Sequence, residues 1–158
     1  MLPTARELME ARVLTVDSEA SLSEVYQLFV DEEISGAPVV AEDGAILGVI
    51  TATDLLRAAD EERDTARVES DYFRGLLPYS AADWSFGPED FQNRLASLRV
   101  SDAMTSEVIS VPPEMPANAI ARVLRSRKVH RVFVTAGGQL LGVVSAFDLL
   151  RVVEDLKD

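Results

Sequence analysis

Two short strings in this chain place a hydroxyl side chain three residues before a carboxylate, at the end of an apolar run. They are Thr51-x-x-Asp54 and Ser145-x-x-Asp148. The spacing is typical of a helix N-terminus, where the hydroxyl caps free backbone N–H groups and the acid lies in the first turn. Taken alone, the strings favour this capping role. An ionised carboxylate can also accept two O–H donors at once, so a ligand-binding role remains open beside the structural one.

Both strings belong to a longer internal repeat. The ten residues Gly48–Arg57 return as Gly142–Arg151 with seven identities, and an offset of 95 residues aligns Val13–Val16 with Val108–Val111. The offset falls to 94 after a one-residue deletion in a turn. Self-similarity over about sixty residues indicates two copies of one structural unit.

The hydrophobic periodicity of one copy predicts an α+β (α/β) fold. The predicted elements are a strand at Val13–Val16, a helix opened by the capping box Ser21-x-x-Glu24, strands at Ala37–Val40 and Ile46–Ile50 joined by the turn Glu42-Asp43-Gly44, and a helix from Thr53 to about Ala59. The order is strand, helix, strand, strand, helix, and the second copy follows the same order.

Four features occur twice in the same order. They are a Leu-Met or Ala-Met lead-in, a Val-x-x-Val strand, Gly-Ala-Pro-Val-Val or His-Arg-Val-Phe-Val, and Gly followed by two apolar residues, Thr or Ser, and then Asp three positions later. With them the chain resembles a stand-alone tandem pair of CBS domains, named after cystathionine β-synthase and often called a Bateman module. The resemblance implies CBS domain 1 at residues 2–60, a connector at 61–98 and CBS domain 2 at 99–158, packed sheet to sheet with pseudo-twofold symmetry.

The resemblance also implies a site for an adenosyl ligand in the cleft between the repeats. In such a site the carboxylate of Asp54 or of Asp148 accepts hydrogen bonds from the two ribose hydroxyls, and the neighbouring hydroxyl residue helps to hold ribose or phosphate. The implied ligand-binding residues are Thr51, Thr53, Asp54, Ser145, Asp148, His130 and Arg131, with Val13, Ala37, Pro38, Val108 and Val132 lining the base by position. Each of the lining residues also fits simple core packing.

The two copies differ at positions that matter for such a ligand. His130-Arg131 corresponds to Ser35-Gly36, Phe147 replaces Thr53, and Phe133 replaces Pro38. A planar guanidinium at Arg131 suits a phosphate, whereas the first copy lacks the basic pair. We therefore expect one good site and at most one weaker site.

Composition limits the remaining function classes. The chain has 158 residues, no Cys, one His and a net charge of −12. A zinc site of the usual kind and a Ser-His-Asp triad are both unsupported, so we expect no catalytic residues and no metal site. The acidic balance argues against nucleic-acid binding, and no apolar run is long enough to cross a membrane. A cytoplasmic location is the default expectation.

The charge is distributed unevenly along the chain. Residues 1–60 carry 12 acids and 3 bases, residues 61–98 carry 8 acids and 4 bases, and residues 99–158 carry 7 acids and 8 bases. The bases of the second copy concentrate at Arg122, Arg125, Arg127, Lys128 and Arg131. For Arg122, Arg125 and Arg127 the structural interpretation is a solvated basic helix face that can contact an acidic face of a second copy. Arg131 differs because it starts a strand beside the predicted cleft.

The connector holds six of the chain's ten aromatic residues, namely Tyr72, Phe73, Tyr79, Trp84, Phe86 and Phe91. Gly87-Pro88-Glu89-Asp90 predicts a helix start, followed by a stripe of Phe91, Leu95 and Leu98. Three interpretations stay open. The connector packs on the repeats, offers a surface to a partner or a second copy, or forms a flap over the ligand.

These observations predict a regulatory module that binds an adenine nucleotide (AMP, ADP or ATP) or S-adenosylmethionine, with or without Mg²⁺. No catalytic or transport domain is attached, so we expect the module to control a separate effector protein. The resemblance implies a disc-like homodimer, and the helix stripes Leu55-Leu56 and Leu149-Leu150 agree with self-association. The alternative is a CBS-fold scaffold for interaction or dimerisation that binds no ligand.

Overall fold

The structure is a computed structural model that describes residues 1–59, Phe73 and residues 89–156. In chain order, its helices and strands are α1 (Ala5–Leu8), β1 (Val16–Asp17), α2 (Leu22–Glu32), β2 (Gly36–Val40), β3 (Ile46–Thr51), α3 (Ala52–Ala59), α4 (Glu89–Ser97), α5 (Val100–Ala103), β4 (Ser110–Val111), α6 (Ala117–Arg127), β5 (Arg131–Ala136), β6 (Gln139–Ser145) and α7 (Ala146–Glu154).

Each repeat forms a three-stranded mixed sheet with helices. In the first repeat β1 runs parallel to β2, and β2 runs antiparallel to β3; β4, β5 and β6 repeat this arrangement. The parallel pair requires a crossover, which α2 provides in one repeat and α6 in the other. The predicted α+β fold with two repeats is therefore confirmed, as is the element order within each repeat.

The chain divides into two compact units that do not follow the repeats residue by residue. The first-repeat unit contains residues 14–59 and 89–107, and the second-repeat unit contains residues 1–13, Phe73 and residues 108–156 of the described chain. Each unit is thus completed by the short lead-in that precedes the other repeat in the sequence.

Each lead-in joins the middle of a β-strand through backbone hydrogen bonds. In the second-repeat unit Glu10 and Val143 exchange two such bonds, of 2.9 and 3.0 Å, and in the first-repeat unit Thr105 and Val49 exchange two of 2.9 Å. A Cβ added at Gly142 would lie 2.7 Å from the carbonyl oxygen of Glu10, and Gly48 meets the Thr105 carbonyl in the same way. The glycine of the repeated motif is required because the two backbones approach so closely.

The core of the first-repeat unit lies between its sheet and its helices. Its fully or almost fully buried members include Val16, Leu22, Val25, Phe29, Ala37, Val39, Ile50, Leu55, Leu95 and Val100. Since side chains alternate along a strand, Ala37 and Val39 point towards the helices and Pro38 points to the opposite face of the sheet. The predicted apolar face of α2 is confirmed, and Ser21 caps the helix by accepting a 3.1 Å hydrogen bond from the Glu24 backbone N–H.

The predicted strand boundary at Val13–Val16 is wrong. Only Val16 and Asp17 pair with β2, and in the second repeat only Ser110 and Val111 pair with β5. The β-branched run suggested a longer strand because local propensity does not reveal where the ladder partners are. Residues up to Val13 belong to the other compact unit, and pairing with β2 begins only at Val16. Helix α3 begins at Ala52, one residue before the predicted start.

Helix α4 is the described part of the connector. It begins at Glu89, as the Gly87–Asp90 pattern predicts, and packs against α2 and α3. Leu95 is buried in the core of the first-repeat unit, and Leu98 packs against that core. The side chain of Phe91 and the predictions for Tyr72, Tyr79, Trp84 and Phe86 lie outside the described residues. For α4 the packing interpretation of the connector is therefore confirmed.

Candidate functional site

The first strand-to-helix junction is a closed hydrogen-bonded unit. Asp54 Oδ2 accepts a 2.8 Å hydrogen bond from the Thr51 backbone N–H, and Thr51 Oγ1 accepts one of 3.2 Å from the Asp54 N–H. Asp54 Oδ1 lies 3.3 Å from Nη1 of Arg57, with which it forms an ion pair. Asp54 is only 6% exposed and Thr51 is equally buried, so both carboxylate oxygens are engaged within the protein.

The second junction repeats the cap but leaves part of the carboxylate open. Asp148 Oδ2 accepts hydrogen bonds from the Ser145 backbone N–H at 2.8 Å and from Ser145 Oγ at 3.0 Å. Ser145 Oγ in turn accepts a 3.2 Å bond from the Asp148 N–H. None of the described residues donates a hydrogen bond to Asp148 Oδ1, and the side chain is half-buried rather than buried.

The difference between the two junctions bears on ligand binding. A sugar diol needs carboxylate lone pairs that protein donors have not already taken. Asp148 has such an oxygen, whereas Asp54 would have to give up Arg57 first. Both carboxylates perform the capping role, and Asp148 alone combines that role with an accessible acceptor within the described residues.

Arg131 and Ser145 stand side by side in the second-repeat unit. They are directly paired residues of β5 and β6, and Arg131 is the first residue of its strand, as predicted. The His130 carbonyl accepts a 2.8 Å hydrogen bond from the N–H of Ala146, the first residue of α7. The structure thus brings His130, Arg131, Ser145 and Asp148 together at one end of a single sheet. The His130 side chain itself is exposed.

This combination of repeated sheet and strand-to-helix junction is that of a known family. Residues 5–61 and 100–155 match the CBS domain family, which covers more than half of the chain. The chain belongs to the CBS domain family. The predicted identification as a tandem CBS pair is confirmed.

Three relatives place this CBS pair among known proteins. An uncharacterized protein of Methanocaldococcus jannaschii is 28% identical over 141 residues, covering 87% of this chain and 83% of its own. The solved structure of CBSX2 in complex with AMP has a TM-score of 0.66 at 21% identity and covers 99% of both chains. The CBS domain pair of protein MJ0100, solved with 5′-methylthioadenosine and S-adenosyl-L-methionine, has a TM-score of 0.63 at 18% identity, covering 99% of this chain and 100% of the other.

The two solved structures have the same fold as this CBS pair. Because their sequence identities are only 18% and 21%, the likeness shows the fold alone. The chain spans only 32% to 59% of three further curated relatives that it matches, so the same module also lies within longer proteins. CBS domains are typically regulatory rather than catalytic.

The predicted base-lining residues lie in both compact units and differ in burial. Ala37 and Val132 are buried in strands, and Ala37 is part of the helix-facing core, which is the packing role that the sequence left open for it. Pro38 is buried on the opposite sheet face. Val13 and Val108 are half-buried outside the strands, and Val13 lies in a different compact unit from Ala37 and Pro38. Thr53 is half-buried in the first turn of α3.

Sequence reasoning missed three residues near these junctions. Arg57 engages Asp54, although its spacing three residues downstream was visible as a helical ion-pair signal. Phe133 was noticed only as a departure from Pro38, and its fully buried ring now lies on the sheet face of Arg131. Phe73 packs against Phe133, and nothing in the connector sequence distinguished it from the other aromatic residues.

The structure contains an open groove elsewhere in the first-repeat unit. It has a volume of about 240 Å³ and is lined by Thr15, Val16, Asp17, Ala20, Glu24, Val25 and Leu28. None of the predicted ligand-binding residues lines it. Within the described ranges no helix is long and apolar enough to cross a membrane, and no cluster of three or more His, Asp or Glu side chains could hold a metal ion.

Proposed function

We propose that this CBS pair is a regulatory ligand-sensing module that binds an adenosyl ligand at the Ser145–Asp148 junction and thereby alters a separate partner protein. The ligand is an adenine nucleotide, namely AMP, ADP or ATP, or S-adenosylmethionine. The observation that carries the proposal is Asp148 Oδ1, an acceptor without a donor among the described residues, beside a carboxylate oxygen that is already fixed by Ser145. Arg131, paired with Ser145, would supply positive charge for a phosphate or a sulfonium-linked carboxylate.

The ligands of the solved relatives support this chemistry. AMP, 5′-methylthioadenosine and S-adenosylmethionine share an adenosine with two neighbouring ribose hydroxyls and differ at the 5′ position. A carboxylate that recognises the diol would therefore serve all three, while residues near the 5′ group would discriminate between them. In this chain Arg131 is the basic residue nearest to the junction along the paired strands.

Ligand binding regulates a partner only if the protein has two states with different ligand affinity. A ligand that binds both states equally shifts no equilibrium, however tightly it binds. We infer that the two states differ in the geometry of the second-repeat junction, since α7 starts at this junction and would move with it.

Thermal unfolding with separate additions of AMP, ADP, ATP and S-adenosylmethionine tests the proposal. At 100 times its Kd, a ligand stabilises the folded protein by about 2.7 kcal/mol, which raises the melting temperature by roughly 5–10 °C for a chain of this size. Asp148→Ala should remove the shift, and Asp54→Ala should leave most of it.

The control for site assignment is the pair of aspartate variants measured in parallel. A shift that survives Asp148→Ala but disappears in Asp54→Ala would move the site to the first-repeat unit. No shift with any of the four ligands would favour the alternative, a CBS scaffold without ligand binding. The fully engaged carboxylate of Asp54 is the observation that favours this alternative for the first repeat.

We also propose that the protein self-associates through α7. The outward side of this helix carries Phe147, Leu150 and Val153, which are 79%, 54% and 63% exposed. The corresponding helix of the first repeat, α3, packs against α4, which brings Leu95 into the core, and Leu56 is the one large apolar residue of α3 that is exposed, at 48%. A second helix with an apolar stripe can pack on the exposed side of α7, as α4 packs on α3. The α7 helix of a second copy provides such a stripe. In an antiparallel pair centred on Leu150, Phe147 of one copy faces Val153 of the other.

The charge distribution supports a second copy as the occupant of this surface. Two molecules of net charge −12 repel each other, and the repulsion is least where charge is balanced. Residues 99–158 carry 8 bases against 7 acids, whereas residues 1–60 carry 12 acids against 3 bases. Association through the second repeat therefore brings together the least acidic parts of the two chains. This arrangement uses one helix surface per chain, in contrast to the disc-like dimer that the family resemblance implies.

A further inference from the structure

Phe73 is an aromatic residue of the connector that is buried in the second-repeat unit. It is 3% exposed, although acidic and basic residues flank it in the sequence at Asp71 and Arg74. Its ring centroid lies 5.3 Å from that of Phe133, with an interplanar angle of 73°. This edge-to-face arrangement is the favoured geometry of an aromatic pair, so the contact is a specific one.

Phe133 places this contact on the sheet face that carries Arg131. In the first repeat, Ala37 and Val39 point towards the helices, and they correspond to Val132 and Val134 in the repeat alignment. Phe133 therefore projects from the other face of β5, together with Arg131, because side chains alternate along a strand. Phe73 covers that face beside the residues proposed to bind the ligand.

The backbone of Phe73 is fixed at the same end of the sheet. Its carbonyl oxygen accepts a 2.6 Å hydrogen bond from the His130 N–H, and the His130 carbonyl accepts one from the Ala146 N–H at 2.8 Å. Ala146 is the first residue of α7, two positions before Asp148. A single residue, His130, thus links the Phe73 carbonyl to the first turn of the helix that holds the carboxylate.

These two contacts match the features of a purine base. A purine has a flat ring with apolar faces and ring nitrogens that accept hydrogen bonds, and Phe133 and the His130 N–H offer an aromatic surface and a donor. Phe73 satisfies both at once with its ring and its carbonyl oxygen. We propose that Phe73 is an internal substitute for the base of the adenosyl ligand and that the ligand displaces it on binding. This inference rests on the proposed function of the Ser145–Asp148 junction.

The displacement has a defined consequence for affinity. A ligand that binds only the fraction of molecules in which Phe73 has left its site has an apparent Kd equal to the intrinsic Kd divided by that fraction. If about one molecule in ten is open, removal of the Phe73 ring lowers the apparent Kd about tenfold. Release of Phe73 would also change the surface of the second-repeat unit, which gives a partner protein a ligand-dependent feature to recognise.

The test is titration calorimetry with AMP on wild-type protein, Phe73→Ala and Phe73→Leu. Both variants should bind AMP more tightly, with Phe73→Ala showing the gain of about tenfold. Leu47→Ala is the matched control, because Leu47 is an exposed apolar residue of the first-repeat unit and should leave the Kd unchanged. Adding Asp148→Ala to Phe73→Ala should abolish the gain. Circular dichroism verifies that each variant is folded.

A second measurement follows Phe73 directly. In the free protein, ring protons of Phe73 and Phe133 should give a nuclear Overhauser effect, which should vanish when AMP saturates the wild-type protein. Unchanged or weaker AMP binding by both Phe73 variants, or an Overhauser effect that persists with AMP bound, overturns the inference while leaving the proposed function intact. If neither the wild type nor any Phe73 variant binds AMP, ADP, ATP or S-adenosylmethionine, the proposed function fails and the inference falls with it.

Discussion

Asp54 and Asp148 occupy equivalent positions in the two repeats, yet they differ in burial and in the number of protein groups that bind their carboxylates. Asp54 accepts from the Thr51 N–H and pairs with Arg57 while nearly fully buried. Among the described residues, Ser145 alone donates hydrogen bonds to the Asp148 carboxylate, which remains half-buried. Removing the partner of a buried polar group destabilises the folded protein more than removing the partner of a group that water can reach. The residue with the larger structural role is therefore the one with less capacity for a ligand.

This contrast predicts opposite rankings for stability and for binding. Asp54→Ala should lower the free energy of unfolding by roughly 1–3 kcal/mol, because the buried Thr51 N–H and Arg57 lose their acceptor. Asp148→Ala should cost about 0.5–1 kcal/mol, at the lower end of helix-cap losses, since water can solvate Ser145. Urea unfolding of both variants measures these costs, and nucleotide binding should show the reverse order. Equal costs, or a larger cost at Asp148, would contradict the assignment.

At the scale of elements, the two lead-ins are what complete each unit. The lead-in of α1 bonds to β6 at Val143, and the lead-in that contains α5 bonds to β3 at Val49. Each contact is possible only because the residue before the paired valine is a glycine, Gly142 or Gly48. The repeated glycine is therefore explained by packing between backbones and needs no ligand role.

Gly142→Ala should destabilise the protein by about 1–3 kcal/mol, the usual cost of forcing an extra methyl into packed structure. The added Cβ would meet the Glu10 carbonyl and the Met9 side chain, both at 2.7 Å. Adding Met9→Ala to Gly142→Ala should not restore stability, since the Glu10 backbone cannot move aside without breaking its hydrogen bonds to Val143. Leu47→Ala is the control, because Leu47 is an exposed residue of the equivalent strand β3. Melting temperatures of the four proteins decide the matter, and a full rescue by Met9→Ala would refute the backbone explanation.

At the scale of the whole molecule, the repeats are similar in fold and different in surface. The first repeat is strongly acidic and packs α4 against α2 and α3, with Leu56 exposed on α3. The second is nearly neutral and exposes three large apolar residues on the outer side of α7. The two copies share a fold and differ in charge and in the exposure of their last helix. We expect the acidic repeat to keep molecules apart and the neutral repeat to bring them together.

Size-exclusion chromatography with light scattering should therefore find a mass of twice 17.3 kDa for the wild type. Leu150→Glu places a charge in the centre of the α7 stripe and should yield the 17.3 kDa monomer with its circular dichroism unchanged. Leu47→Glu makes the same substitution at an exposed site of the first-repeat unit and should remain dimeric. A wild-type monomer, or a Leu150→Glu protein that stays dimeric, would rule out α7 as the interface.

The sequence predicted the repeated fold well because its signals are local. Alternating apolar strands, the Ser21 cap and the hydroxyl-x-x-Asp junctions depend on neighbours within a few residues, and the structure confirms all of them. The start of β1 was predicted wrongly, since a two-residue parallel strand is defined by its partners in β2. The candidate site was predicted as a set of residue types, but Ala37 faces the core and Val13 lies in another unit. The roles of all these residues in ligand binding stay predictions, as do the cytoplasmic location, the partner protein, the involvement of Mg²⁺ and the packing of the two sheets.

The amino-acid sequence by itself determined that two copies of a CBS domain would form and where each carboxylate would cap its helix, because these features follow from hydrogen bonds and periodicities within one segment. Tertiary structure alone decided that no described residue engages Asp148 Oδ1 and that Phe73 covers Phe133. The last contact joins residues sixty positions apart, and α4 reaches the first repeat over a similar span. Such contacts depend on which surfaces meet in three dimensions, and no local pattern encodes that choice.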